Sequence, residues 1–128
     1  LYKICKNVGL NTIPVLLILS LSLSIAGAGI FPYPLRLHLI MGMPSILLFL
    51  SPLLGIILWK KGLPNIKLIS ILCFLIMSLG FLTYWPDILV NYLGLKQRFF
   101  HLGWSIWFIY LGHSFNKLAE SIRVIERV

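Results

Sequence analysis

Five side chains in this sequence could act together: Arg36, His38, Asp87, Arg98 and His101. His38 and His101 each open a long apolar run, and each follows an arginine by two or three residues. Asp87 comes just after the end of another apolar run. Two neutral imidazoles and a carboxylate can form a hydrogen-bonded cluster, and they are also metal-ligating types. A metal site needs ligands converging at about 2 Å, which this spacing does not enforce, so no metal is assigned. Two guanidinium groups could instead grip the phosphate of an anionic lipid head in a bidentate manner. Ionisable groups at membrane depth are costly, and they tend to turn inward and pair. The expectation is a polar cluster of these five residues at one end of the molecule, either structural or ligand-binding.

Other chemistry has little to work with. The acids are Asp87, Glu120 and Glu126. There is no HExxH, no Ser-His-Asp order, no phosphate-cradling glycine loop and no carboxylate pair. No cofactor is implied. Cys5 and Cys73 fall at different predicted depths with no CxxC, which predicts no disulfide and makes Cys73 a small packing residue.

The elements that must position these residues follow from composition. Of 128 residues, 59% are hydrophobic and 11% charged, with mean hydropathy +0.98. A soluble domain of this size carries roughly a quarter charged residues, so the bilayer is the natural solvent. Four apolar runs, at 13–31, 37–59, 68–85 and 99–115, are each long enough to cross a hydrocarbon core of about 30 Å as a helix. The fold class predicted is all-α, a single integral membrane bundle of four transmembrane helices. No signal peptide is read at the start, since the first apolar run is simply the first of several.

The connections are short. Residues 32–36 and 60–65 are proline-bearing turns, whereas Pro86 to Arg98 is longer and half apolar, with Ile88, Leu89, Tyr92 and Leu93 suited to a short interfacial helix. In the first span Ser20, Ser24, Gly27 and Ala28 form a small-residue face that predicts close packing on another helix. Pro44 and Pro52 should bend the second span. In the fourth span Arg98, His101, Ser105, Phe108, Gly112 and Asn116 share one helical face, read as its inward side. Glu120, Arg123 and Arg127 suggest that this helix runs on beyond the membrane. Phe31, Tyr33, Trp59, Tyr84 and Trp85 fall at span ends, as interfacial aromatics do.

Net charge is +8, and the basic residues flank the apolar runs. With four spans, the N-terminus, the second connection and the C-terminus share a side carrying eight of the eleven Lys and Arg residues; the other side carries Arg36, Lys96 and Arg98. The positive-inside rule then puts both termini in the cytoplasm. No basic patch is interleaved with exposed aromatics, which argues against nucleic acid as a partner.

Two stretches resemble a known family. Gly29-Ile30-Phe31-Pro32 ends one span before His38 opens the next, and Gly94-Leu95-Lys96-Gln97-Arg98 leads into the last span with Trp104 or Trp107. These resemble the uncharacterised prokaryotic membrane proteins termed domain of unknown function 998. Gln97 stands where that family usually has an acid. The resemblance implies that the chain, which begins at Leu1, corresponds to the last four of about six helices and sits in a bacterial inner membrane. It implies no activity.

The function read from the sequence is a small multi-pass membrane protein that binds membrane lipid or a partner, the partner being another membrane protein or a second copy of itself. A small transporter or channel subunit is the first alternative. A lipid-modifying enzyme using the outer histidines is the second.

Overall fold

The computed structural model describes residues 1–31, 34–60, 62–84, 87, 88 and 90–125. The helices are α1 (Tyr2–Asn7), α2 (Ile13–Ile30), α3 (Arg36–Gly42), α4 (Ser45–Leu48), α5 (Leu50–Leu58), α6 (Ile66–Gly80) and α7 (Leu93–Ile125). Short 3-10 turns occupy Phe81–Tyr84 and Val90–Tyr92. No strand occurs among the described residues, so the chain is all-α.

The first apolar run becomes α2. Asn11 Oδ1 accepts the Ile13 N–H at 2.9 Å, and Pro14 sits in the first turn, where a missing donor costs nothing. The second run is helical from Arg36 to Leu58 but divided, with one interruption next to Pro44, while α5 runs unbroken through Pro52. Around Pro44 the ladder tightens to i→i−3 bonds, with Ile46 N–H donating to Met43 O at 3.0 Å and Leu47 N–H to Pro44 O at 3.0 Å.

The third run departs from its expected bounds of 68–85. Its α-helix covers Ile66–Gly80 and then narrows to the 3-10 turn. Gly80 lies against α7 so closely that a Cβ there would stand 2.6 Å from Phe100 Cβ and 3.1 Å from Phe100 N. Fifteen α residues and four 3-10 residues together still rise about 30 Å. The last helix begins six residues before the expected Phe99 and runs to Ile125. It therefore absorbs residues 93–98 of the segment in which a surface helix was expected, while Val90–Tyr92 forms only one 3-10 turn leading into it. Its 33 residues extend about 50 Å, longer than a bilayer core, as the charged tail suggested. Arg127 lies outside the described residues. The short helix α1 had no sequence expectation.

Helices α6 and α7 form the most extensive pair, and α2 packs on α3, α4 and α5, with α5 joining α6. Gly103 permits the α6–α7 approach: a Cβ there would collide with Met77 Cγ and lie 3.0 Å from Met77 N and 3.1 Å from Cys73 O. This close contact orients α7 differently from the expected inward polar stripe. Arg98, His101, Gly112 and Asn116 are exposed, and Ser105 and Phe108 are half-buried. The inward side carries Lys96, Gly103, Trp107, Leu111 and Phe115 instead. The small-residue face of α2 is packed at its centre, where Ser24 and Gly27 are buried and Gly27 meets Met41; Ser20 is half-buried and bonds its own Leu17 carbonyl.

One end is closed by a core of Cys5, Val15, Trp59, Leu63, Ile66, Cys73, Trp107, Leu111 and Phe115. Trp59, expected as an interfacial aromatic, is wholly buried there, because its Nε1–H donates to Asn11 O at 2.8 Å and its ring stacks on Trp107. Phe31 is half-buried; Tyr33 and Trp85 lie outside the described residues. The same end gathers the N-terminal segment, the connection after α5 and the second half of α7. Leu10 covers Gly62, and Tyr110 donates to Pro64 O.

Two helices are long and apolar enough to cross a membrane: Ile13–Ile30, with mean hydropathy 2.2, and Arg36–Leu58, with 2.1. Only 28% and 22% of these stretches is buried, so most of their apolar surface faces outward. The third, Ile66–Gly80, is apolar but shorter.

Candidate functional site

At the end opposite the tryptophan core, the helices separate around a cavity of about 500 Å³. The small-residue face of α2 contributes Ser24 and Ala28, and the broken second run contributes His38, Gly42 and Ser45. Gly80 and Phe81 close it from the end of α6, and α7 brings Gln97, Phe100 and His101. The break at Pro44 helps make this space, because it diverts the Gly42 carbonyl from the helical ladder. That oxygen accepts the hydroxyls of Ser24 at 3.0 Å and Ser45 at 2.7 Å.

The two imidazoles are held in different proton states. His38 Nδ1 lies 2.8 Å from Phe31 O and 3.2 Å from Ala28 O. Both neighbours are acceptors, so Nδ1 carries the proton, and the ring ties the start of α3 to the end of α2. His101 is the reverse case. The Trp104 Nε1–H donates to its Nδ1 at 3.0 Å, which requires a lone pair on Nδ1 and puts the proton on Nε2.

Of the five residues expected to cluster, His38 and His101 border the one cavity. Arg36, Asp87 and Arg98 are exposed and do not border it. Among the described residues no ion pair joins Asp87 to either arginine, and no group of three or more His, Cys, Asp or Glu gathers as a metal would need. The cavity wall is thus polar without formal charge when its imidazoles are neutral.

Sequence reasoning missed three features. Gln97 borders the cavity, although its type alone gave no signal. Lys96 is fully buried. Its position four before Phe100, seven before Gly103 and eleven before Trp107 puts it on the packed side of α7, and that periodicity was the available signal. Ser51 is fully buried, donating to Pro14 O at 2.8 Å and accepting the Trp107 Nε1–H at 2.9 Å. A smaller cavity of about 190 Å³ lies at the other end, between the connection at Gly62–Pro64 and Ser114, Lys117 and Ser121 of α7. Both cysteines are free and buried, and burial pushes the Cys5 thiol above its ordinary pKa.

Comparison with protein-family models, curated proteins and solved structures returns no match to this chain.

Proposed function

We propose that this chain is a multi-pass membrane protein of four crossing helices, and that the cavity between α2, α3, α4 and α7 holds a membrane lipid. The observation carrying the reading is a cavity whose polar side chains are uncharged or imidazole and whose other walls are apolar, in a bundle whose helices turn apolar surface outward. Leu19, Leu23, Ile25, Ile57, Leu68, Leu75 and Ile109 are all more than half exposed, which suits acyl chains and would be costly in water. The charge asymmetry supports both termini in the cytoplasm, and a bacterial inner membrane is the location that the family resemblance implies. The resemblance to domain of unknown function 998 is consistent with that setting, the four helices here corresponding to that family's last four.

The test is to extract the chain in mild detergent and analyse retained lipid by native mass spectrometry. Lipid should remain bound at about one per chain and fall sharply in Ala28→Trp, which fills the cavity. Equal retention by the filled variant would remove the cavity from the reading. A periplasm-active reporter fused to the C-terminus should be silent; activity would reverse the topology.

A small transporter subunit is the second reading, favoured by one observation. The interrupted helix at Gly42–Ser45 borders the cavity, as broken helices do at substrate sites in transporters. The serine bonds to Gly42 O satisfy the freed carbonyl, which favours packing at that break. Flux across proteoliposomes would separate the two readings.

A further inference from the structure

We infer that the lipid head taken by this cavity is uncharged and is held through a carbonyl oxygen. The inference rests on the lipid reading above and narrows it.

Charge excludes a phosphate head. Arg36 and Arg98, the groups suited to a phosphate, do not border the cavity. Among the described residues no lysine or arginine does. A phosphate against the apolar wall of Leu21, Ile25, Ile46 and Phe81 would find no guanidinium or ammonium partner there, and a charge without such a partner is disfavoured.

The donors that remain select an acceptor. The hydroxyl protons of Ser24 and Ser45 are committed to Gly42 O, so both serines offer only lone pairs. The His38 Nδ1 proton is committed to the carbonyls of Phe31 and Ala28. Two N–H sources on the wall are not so committed: His101 Nε2–H and the Gln97 amide. They stand four residues apart on α7, hence on one helical face. Two adjacent neutral donors fit a carbonyl oxygen, which accepts through two lone pairs and donates nothing. About 500 Å³ lies within the range of small-molecule sites and accommodates a ring or ester head with the first carbons of its tail. Two membrane sources present that chemistry: the ring carbonyl of an isoprenoid quinone and the ester carbonyl of a diacylglycerol.

The experiment uses the whole chain in detergent with three probes: decylubiquinone, dioctanoylglycerol and dioctanoyl phosphatidylglycerol. Affinity is measured by calorimetry. At least one uncharged probe should bind saturably and about tenfold or more tighter than the anionic one. Decylubiquinone binding alone would identify a ring carbonyl, and dioctanoylglycerol binding alone an ester. His101→Phe should weaken that binding about tenfold, the loss of one hydrogen bond. His101→Gln, which restores an N–H, should recover most of it and guards against misfolding as the cause. The double variant Arg36→Gln, Arg98→Gln should change it less than about twofold. Nitrogen-15 spectra should show the His101 proton on Nε2. Preference for the anionic probe with dependence on the arginines overturns the inference while leaving the lipid reading intact. So does an unchanged affinity in His101→Phe. Binding of no probe, with no native lipid retained, overturns both.

Discussion

The two ends of the bundle are built on opposite plans. At the end where α1 and the second half of α7 lie, Trp59, Trp107 and Phe115 interlock, with ring centroids 6.4 Å apart for the first pair and 5.5 Å for Trp59 and Phe115. Each indole N–H there has a partner, Asn11 O for Trp59 and Ser51 Oγ for Trp107. At the other end the space between helices is a cavity, and hydrogen bonds hold its walls apart: His38 to α2, and Ser24 and Ser45 to Gly42. Lipid tails are as apolar as leucine, so helices in a bilayer associate through packing and hydrogen bonds instead of hydrophobic transfer. The packed end then carries most of the association energy, and the open end is free to keep a void. Substitutions that probe packing should be costly near the first end and mild near the second.

The largest expected effect is Gly103→Leu. Even a methyl group at Gly103 meets Met77 side-chain and backbone atoms and the Cys73 carbonyl, and backbone cannot yield as a flexible side chain can. Separating α6 from α7 should cost about 3 kcal/mol, read as lower thermal stability in detergent. A neutral outcome would mean that this pair does not hold the bundle. Next comes Trp107→Phe. It removes the donor to Ser51 and shrinks a fully buried ring, for an expected loss of about 2 kcal/mol. Ser51 retains its bond to Pro14 O, which keeps the penalty below that of an orphaned hydroxyl.

The same contrast explains what could be read from the sequence. Helix positions were legible because apolar runs of membrane length leave few alternatives. His38 and His101 share one cavity, in keeping with the fact that each opens an apolar run of the sequence. The orientation of α7 was not legible. Its polar stripe at Arg98, His101, Gly112 and Asn116 looks inward by analogy with soluble bundles, but the choice is made by shape, here by Gly103 fitting against Met77. For the same reason Trp59 reads as an interfacial aromatic until Asn11 O is found within reach. Gln97 could not be found at all, because its relevance comes from the cavity and from nothing in its neighbours. The end of α6 at Gly80 was equally hidden, since it depends on contact with Phe100 some twenty residues later.

A smaller effect probes how firmly α1 closes the packed end. Burial raises the folded pKa of Cys5 above its unfolded value. The resulting contribution to stability is complete below the unfolded thiol pKa and is lost as pH rises through the folded one. Docking of α1 should therefore weaken only under alkaline conditions. At neutral pH, maleimide should modify Cys5, followed by peptide mapping, at least about tenfold more slowly than in the denatured chain. The rate should climb with pH beyond what an exposed thiol shows. Fast labelling at neutral pH would mean that α1 opens readily and that the packed end is looser than its contacts indicate.

The smallest effect is expected at the open end, and it has a distinctive pattern. Gly42 O accepts two hydroxyls, from Ser24 at 3.0 Å and from Ser45 at 2.7 Å. Removing one leaves the carbonyl satisfied by the other, so Ser24→Ala or Ser45→Ala alone should cost only about 0.5 kcal/mol, near the average for hydrogen bonds between membrane helices. Removing both leaves a carbonyl displaced from its helical ladder with no side-chain donor, and an unsatisfied backbone group at membrane depth is far more costly. The double variant should then lose clearly more than the two single losses together, by about 1 kcal/mol or more. Chemical denaturation of the four proteins in mixed micelles measures that coupling. If the losses simply add, water or another group reaches Gly42 O from the cavity, and the open end is wetter than a lipid-filled space should be.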